Sequence, residues 1–546
     1  MSDTALIEVA TPSLLLGDEA VALAAVDSGI VAAYSYPGTP ATEIMEYLLQ
    51  IASQRSDLVA AWSVNEKTAY EQALGVSMVG KRSLVSMKHV GLNVAADPFM
   101  NSAIVDIRGG LVVAVADDPS MHSSQNEQDS RYMADFAHVI CLEPANQQEA
   151  YDMTRQAFEL SEKFHIPVLL RLVTRLAHSR SAVHQGEPEP QRTVSRSPNS
   201  ADWILLPVNA RRQWHRLLDQ QVQFMQRSEE SEWNVLVESE DSRGMGDITT
   251  GIARNYYEEN LPDLDFRPDW LHIGMYPIPL HKIRAFAQCV DNILVLEDGY
   301  PYLERYLRGV LTANVRGRLS GHLSRDGELT PENVRHALRL PARPSVTLSD
   351  FEVPARPPQL CAGCPHREAL DALHSALNGW QNPVITGDIG CYTLGALPPY
   401  EALNSCVCMG ASVGMAKGAS DAGVFPVVAL IGDSTFCHSG VTPLMDAAAA
   451  DTDMLLIILD NEAVGMTGAQ DTLYSAEQIH QLALGLGVAK EHCHLIETHP
   501  TRVAELAQVM RSEIEHHGLS VIVCVRECLE KAKRRKKAAA AKGGKS

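Results

Sequence analysis

Two side chains suited to holding a hard cation sit where apolar runs stop. Ile431-Gly432-Asp433-Ser434 closes one run, and Leu455-Leu-Ile-Ile-Leu ends in Asp460-Asn461, with 26 residues between Ser434 and Asn461. If the runs are neighbouring strands of a parallel sheet, the Asp433 and Asn461 oxygens emerge beside a phosphate-sized crevice at the strand carboxyl ends. Mg²⁺ needs oxygen ligands in octahedral array, so these are candidate magnesium ligands. Gly432 would let the backbone approach a diphosphate. The turn that follows, Ala463-Val-Gly465-Met466-Thr467-Gly, adds glycines and a threonine able to hydrogen-bond phosphate oxygens.

Cysteines form the second constellation. The chain has eleven, an odd number, which fits a reducing compartment where thiols are free or bind metal. Cys361-x2-Cys364 is a pair of the kind that holds an iron–sulfur cluster, and equally a zinc ion or a redox dithiol. Cys391 and Cys528 lie far along the chain; Cys406 and Cys408 read as packed thiols. His492-Cys493-His494 and His516-His517 are not expected to bind metal, because adjacent residues of a strand point apart and no matching ligand group is evident.

These groups need a scaffold of strand ends. Buried-strand runs recur in Gly29-Ile-Val-Ala-Ala-Tyr-Ser, Ser83-Leu-Val-Ser-Met, Gly110-Leu-Val-Val-Ala-Val-Ala and Pro167-Val-Leu-Leu-Arg-Leu-Val, and again in Pro383-Val-Ile-Thr-Gly, Phe425-Pro-Val-Val-Ala-Leu-Ile-Gly, Met454-Leu-Leu-Ile-Ile-Leu-Asp and Leu519-Ser-Val-Ile-Val-Cys-Val. Helix-like segments separate them, the pattern of parallel α/β sheets. The expected divisions are an N-terminal domain over 1–180, a polar linker over 181–230, a middle α/β domain over 231–340, a proline-rich connector over 341–358, a C-terminal domain over 359–530 and a disordered basic tail over 531–546. At 546 residues the chain has room for roughly three or four domains. A formal charge of −21 argues against nucleic acid as a partner. The N-terminus lacks a secretory pattern and no uncharged apolar run is long enough to span a bilayer, so a cytoplasmic protein with no membrane partner is expected.

The Asp433 to Asn461 interval resembles the thiamine-diphosphate motif, GDG, about two dozen residues, then NN, with Ser434 in place of the last glycine and Asp460 in place of the first asparagine. Longer strings are similar to the large (alpha) subunits of indolepyruvate:ferredoxin oxidoreductases: LCAGCPHR at 360–367, ITGDIGCYTLGALPP at 385–399, CVCMGASVGMAKG at 406–418, SYPGTPATEI at 35–44, WSVNEKTA at 62–69, MKHVGLNVAADP at 87–98 and ADDPSMHSSQNEQDSR at 116–131. The resemblance covers roughly residues 10–530.

That resemblance implies an α/β fold of two doubly wound thiamine-diphosphate-binding domains with an intervening transketolase C-terminal-like α/β domain. It assigns diphosphate and Mg²⁺ to Asp433, Asn461 and Ala463, with Gly38, Asp388, Gly432, Ser434, Gly465, Met466 and Thr467 around the cofactor. Glu66 becomes the carboxylate that hydrogen-bonds the aminopyrimidine ring and promotes loss of the thiazolium proton. Donors for the substrate carboxylate and oxyanion are expected among Thr39, His89, Asn93, His122 and Arg131, Thr39 first. Cys361, Cys364, Cys391 and Cys528 become ligands of one [4Fe–4S] cluster. The implied activity is oxidative decarboxylation of aryl- or branched-chain 2-oxoacids to acyl-CoA, with coenzyme A as cosubstrate and electrons passing to ferredoxin or another carrier. A smaller beta subunit is the implied partner, in a heterotetramer. The family's large subunit commonly continues into a ferredoxin-like domain with C-x2-C-x2-C-x3-C-P runs; this chain shows none, which leaves the electron exit open. The competing readings are a non-oxidative thiamine-dependent decarboxylase or carboligase, and a non-catalytic partner-binding subunit.

Overall fold

The computed structural model describes residues 12–344 and 359–543, so most of the connector read over 341–358 lies outside the described residues, as do the two chain ends. The chain divides into two compact units, Met1–Thr347 and Leu348–Ser546.

The first unit carries a seven-stranded sheet in the order Met275–Tyr276, Cys141–Leu142, Val168–Val173, Leu111–Asp117, Ser83–Lys88, Ala32–Ser35 and Val59–Trp62, parallel except for its first edge strand. The three central strands are buried at every position, as expected of a parallel sheet covered on both faces by helices. A five-stranded sheet runs Asn314–Arg316, Asn292–Leu296, Met245–Thr250, Asp269–Ile273 and Leu236–Val237, parallel but for the last. The edge strand Met275–Tyr276 leaves the second sheet's chain segment to pair with Cys141–Leu142 of the first. The middle region thus completes the N-terminal sheet and does not stand apart from it.

Two sequence expectations need correcting here. Residues 181–230 are not a linker: Arg180–Val183 pairs antiparallel with Ser13–Leu16, and Pro207–Glu229 is a helix of 23 residues. Its buried side chains, Gln213, Leu217, Phe224 and Ser228, recur at helical spacing, and Phe224 meets Phe164 edge-to-face at 5.0 Å. The polar stretch between them is a strap. Glu189 N donates to Asp27 O at 2.6 Å, Ser195 N to Val79 O at 2.9 Å, and the fully buried Arg82 reaches Glu189 at 2.9 Å. The strap crosses Gly29 and Gly80, both at positive φ, where a side chain would strike its carbonyls at 2.8 and 2.4 Å. Polar composition concealed this because the strap contributes backbone and charge partners and little apolar surface. The second correction is the basic tail, which is helical over Leu529–Gly543; its alanines and lysines are strong helix formers. Among the described residues no helix is long and apolar enough to cross a membrane.

A buried ionic cluster joins the two sheets of this unit. Arg131 pairs with Asp129 at 2.5 Å, Glu297 at 3.2 Å and Glu143 at 3.6 Å, and its guanidinium lies 5.1 Å from the centre of the Tyr302 ring. Arg171 pairs with Asp117 at 2.6 Å and with Glu143, and donates to Asp298 O at 3.0 Å. Tyr276 Oη donates to Glu143 at 2.6 Å.

The second unit holds a six-stranded sheet in the order Ser405–Cys406, Val384–Gly387, Val427–Gly432, Met454–Asp460, Leu519–Val525 and Cys493–Glu497, parallel throughout. Alternate residues feed two cores. Val428, Leu430, Leu455, Ile457 and Ile522 belong to one, while Ala429, Ile431, Leu456, Ile458, Val521 and Val523 belong to the other, the signature of a doubly wound sheet.

Breaking one half of a buried ion pair leaves the other charge unpaired. Arg131→Met is therefore expected to destabilise the protein by about 3–5 kcal/mol, measured as a fall in the urea midpoint of the transition that reports the first unit; a change under about 1 kcal/mol would show that the cluster does not hold the two sheets together.

Candidate active site

Strand register sets the first corner of the site. Gly432 lies opposite Leu459, so the next residues, Asp433 and Asp460, come level at neighbouring strand ends. Both are buried. Asp433 Oδ1 accepts from Ser434 N at 2.7 Å and Asp460 Oδ1 from Glu462 N at 2.9 Å, while the second oxygen of each has no hydrogen-bond partner. Burial, then the facing Asp460 carboxylate, pushes Asp433 well above the usual carboxylate range; burial raises Asp460 too. Two buried carboxylates with unsatisfied oxygens fit a hard divalent cation, whose charge would let both ionise.

Asn461 follows immediately. Its Oδ1 accepts from Ala463 N at 3.1 Å and its amide nitrogen faces His366 Nε2 at 3.1 Å. Burial lowers the His366 pKa to about 4, so the ring is neutral and accepts from the amide, which turns the Asn461 oxygen the other way. Asp460, His366 and Tyr392 belong to this corner and were not singled out from the sequence. His366 had a signal, its place in the CPHR string.

Several expected cofactor contacts have other partners. A side chain at Gly432 would come 2.8 Å from the buried Tyr392 ring, so that glycine makes room for tyrosine. Asp388 accepts from Ile389 N, Gly410 N and Ser412 N at 3.0, 2.8 and 3.1 Å and so caps the helix Ala411–Asp421. The Thr467 hydroxyl donates to Gln470 Oε1 at 2.6 Å inside its own turn, and Met466 is 62% exposed. A side chain on Gly465 would lie 2.9 Å from Cys391 Sγ, so this turn is pressed against a cysteine.

That cysteine lines a cavity of about 80 Å³ with Cys361, Cys364, Cys528, His366 and Asn461. The four thiols come from three separate segments. Cys528 is set by its own backbone: its N–H donates to Asn461 O at 2.9 Å, just after Arg526 N donates to Asp460 O at 2.9 Å. Burial, then the neighbouring Cys364, Cys528 and Cys361, pushes the Cys391 thiol up to about 12. Among the described residues, the sets of three or more possible ligand atoms within 4.8 Å of one another do not include these sulfurs. Thiolates bound to one zinc, at about 2.3 Å each, would sit closer than that. The wider spacing and all-sulfur donor set fit a polynuclear cluster better.

In the first unit, the turn Pro37–Pro40 lies between the strand Ala32–Ser35 and the helix Thr42–Ala52. A side chain on Gly38 would lie 3.1 Å from the Lys88 side chain, and Ser123 Oγ donates to the half-buried Thr39's carbonyl at 3.0 Å. Lys88 Nζ donates to Ser123 O at 3.0 Å. Burial depresses the Lys88 pKa to about 8 against the opposing pull of Asp118 and Glu66. Glu66, 5% exposed, opens the helix Glu66–Met78, whose cap Asn65 accepts from Thr68 N at 2.8 Å. Gly91 is what makes room for it: a side chain there would meet Glu66 Oε1 at 2.6 Å. His89 is buried, with Nε2 3.1 Å from Asn126 O and Nδ1 without a partner. Lys88 was missed from sequence, although a lysine closing a buried-strand run was visible in SLVSMK.

Arg131, expected among the donors for substrate, is instead buried in the ionic cluster of its unit and cannot turn to a ligand without leaving carboxylates unpaired. His122 is half exposed and pairs with Glu328 at 3.2 Å; Asn93 is exposed. The histidines near the C-terminus also differ from expectation. His492 ends the turn Lys490–His492 and His494 lies in the strand Cys493–Glu497, and Glu513 accepts from both, at 2.8 and 2.7 Å, one on each oxygen.

Two family models match the chain: "Pyruvate flavodoxin/ferredoxin oxidoreductase, thiamine diP-bdg" over residues 23–237, and "Thiamine pyrophosphate enzyme, C-terminal TPP binding domain" over 388–524. Their spans include Glu66 and Lys88 in one and Asp433 with Asn461 in the other, and together they define the class, a thiamine-diphosphate-dependent 2-oxoacid oxidoreductase. The subunit IorA of indolepyruvate oxidoreductase from Archaeoglobus fulgidus is 35% identical over 549 residues, covering 94% of this chain and 86% of that protein. The same subunit from Methanothermobacter marburgensis is 37% identical over 541 residues with the same coverages. The chain belongs to the IorA family, the large subunits of indolepyruvate oxidoreductases. Among solved structures, a 2-oxoglutarate:ferredoxin oxidoreductase from Magnetococcus marinus matches at 17% identity with a TM-score of 0.51, over 60% of this chain and 65% of that one, and shares the fold.

Asp433→Asn and Asp460→Asn are each expected to weaken Mg²⁺-dependent thiamine diphosphate binding by roughly 10–100-fold, read by calorimetric titration of cofactor with Mg²⁺ present. Unchanged affinity in Asp460→Asn would remove that residue from the metal corner.

Proposed function

We propose that the chain catalyses oxidative decarboxylation of aryl- or branched-chain 2-oxoacids, indolepyruvate among them, to acyl-CoA. In the balanced reaction, the 2-oxoacid anion and the coenzyme A thiol give acyl-CoA, carbon dioxide, one proton and two electrons. The electrons pass singly through a [4Fe–4S] cluster on Cys361, Cys364, Cys391 and Cys528 to ferredoxin or another carrier. A smaller subunit completes the enzyme, in keeping with the relatives' designation as subunits. The observation that carries this reading is the cavity in which four cysteines meet Asn461, since a thiamine enzyme without electron export has no use for them there.

When bound, thiamine diphosphate would supply a nucleophilic carbon and an electron sink for the 2-oxoacid, and a cluster on the four cysteines would supply a one-electron acceptor. The chain's own residues do the rest. Asp433, Asn461 and Ala463 hold the magnesium, with Asp460 as the second buried charge facing it. The Glu66 carboxylate, held by its cap and by Gly91, exchanges a proton with the aminopyrimidine ring. Thr39 orients the substrate. Lys88 takes the role that Arg131 cannot: its desolvated ammonium, tied to the same segment as Thr39, is the cation available to the 2-oxoacid carboxylate. Cys528 and Cys391, fastened to Asn461 and pressed against Gly465, keep the electron acceptor beside the diphosphate turn.

On anaerobically purified protein, iron and acid-labile sulfide at about four each per chain, with thiamine diphosphate present and the iron lost in Cys364→Ser, would bear the proposal out. Thiamine without iron would replace it with a non-oxidative decarboxylase or carboligase. Lys88→Met is expected to raise the KM for 2-oxoacid roughly 10–100-fold, the loss of a charged hydrogen bond, with thiamine content unchanged; an unaltered KM assigns the carboxylate to another residue.

A further inference from the structure

Asp18 is fully buried, and its carboxylate oxygens lack any well-formed hydrogen bond, the Ile44 N–H giving only a weak backbone contact beside the Glu43 and Glu19 charges. A carboxylate left so is costly unless a cation or a proton answers it. It stands at the start of the helix Gly17–Asp27, and two other metal-binding side chains converge on it from separate elements: Glu43 in the first turn of Thr42–Ala52 and His178 at the end of Thr174–His178. Their ligand atoms all lie within 4.8 Å of one another. The contact is built into the backbone, because Gly17 brings its helix so close that any side chain there would strike Leu176 O at 2.3 Å. Neighbouring Glu19 is engaged elsewhere, accepting from Leu16 N at 2.8 Å and pairing with Arg180 at 3.3 Å.

We propose that Asp18, Glu43 and His178 bind a divalent transition metal, zinc being the ion their two-carboxylate, one-imidazole donor set suits best. His178 Nε2 lies 3.3 Å from Glu43 Oε2, close to the edge of about 3.4 Å that a tetrahedral ion with bonds near 2.1 Å sets between ligands. Asp18 supplies the third ligand and water the fourth. All three side chains lie in the first unit, away from the cysteines and from the magnesium corner in sequence. The ion has a positional role: Glu43 adjoins Thr42, whose hydroxyl accepts from Gly38 N at 3.1 Å, so the metal secures the foot of the turn that carries Thr39. The alternative is a neutral Asp18 sharing a proton with Glu43.

The test uses the anaerobically purified chain with its cysteine site and thiamine intact, given one equivalent of zinc sulfate and passed through gel filtration. Expected are one zinc per chain, an anomalous peak at the zinc edge between the three side chains in crystals, and a higher Tm with zinc than without. Asp18→Asn, which reproduces the shape of a neutral acid, and His178→Gln are expected to cut zinc affinity roughly 10–100-fold while iron and thiamine contents stay as in the parent. Zinc retained in both variants, or an anomalous peak elsewhere, overturns the site. Equal Tm for parent and Asp18→Asn, with zinc having no effect on either, identifies the shared proton instead.

Discussion

Parallel strands leave no choice about what lies beside what at their carboxyl ends. Once Gly432 pairs opposite Leu459, Asp433 must meet Asp460, and two carboxylates are brought together in a place that water does not reach. Coulomb repulsion and desolvation both disfavour that arrangement with the groups ionised. As an ionised pair the corner needs a cation, and without one it takes up a proton, the direction in which burial and the facing charge push these groups. Other features answer to the same constraint: the neutral His366 that orients Asn461, the cap made by Asp388, and the tyrosine filling the space beside Gly432.

The first unit faces the reverse problem, a polar interior that must stay dry. Arg131 and Arg171 have more carboxylates around them than two guanidiniums neutralise, and burial pushes Glu297 up to about 7 and Asp298 to about 6. Such a cluster is weak evidence for stability in itself, but its partners come from both sheets, so separating them would strand buried charges. It also explains why a plausible substrate-binding arginine is unavailable, and why the smaller, more adaptable Lys88 is the cation left beside Thr39.

The inner strands of the seven- and six-stranded sheets were legible as apolar runs, since burial on two faces writes itself into consecutive residues, whereas the short outer strands such as Val59–Trp62 and Ser405–Cys406 were not. The central strand Met245–Thr250 was not, because Asp247, Thr249 and Thr250 are buried polar residues; Trp270 Nε1 donates to Thr249 at 2.9 Å, and Asp247 is raised to about 7 by burial. The helix Pro207–Glu229 hid behind a polar sequence with four buried positions. At the site, spacing alone pointed to Asp433 and Asn461, whereas the part played by Asp460 depends on interstrand register, which is not written locally. Arg131, Asp388 and Thr467 each already have protein partners: Asp129 and the distant Glu297 for the first, backbone N–H groups at 389, 410 and 412 for the second, and Gln470 of the same turn for the third. A residue's type alone does not say which partner it takes.

The closeness of Gly465 to Cys391 has a chemical corollary. Oxidation of a cysteine to the sulfenic acid adds an oxygen atom to sulfur, and at Cys391 the turn carrying Gly465 leaves no room for a side-chain atom on that glycine. Air damage to this thiol would therefore be felt as a displaced turn at Gly465. While the sulfur remains at that first oxidation step, a thiol reductant would return the cysteine and let the turn close again.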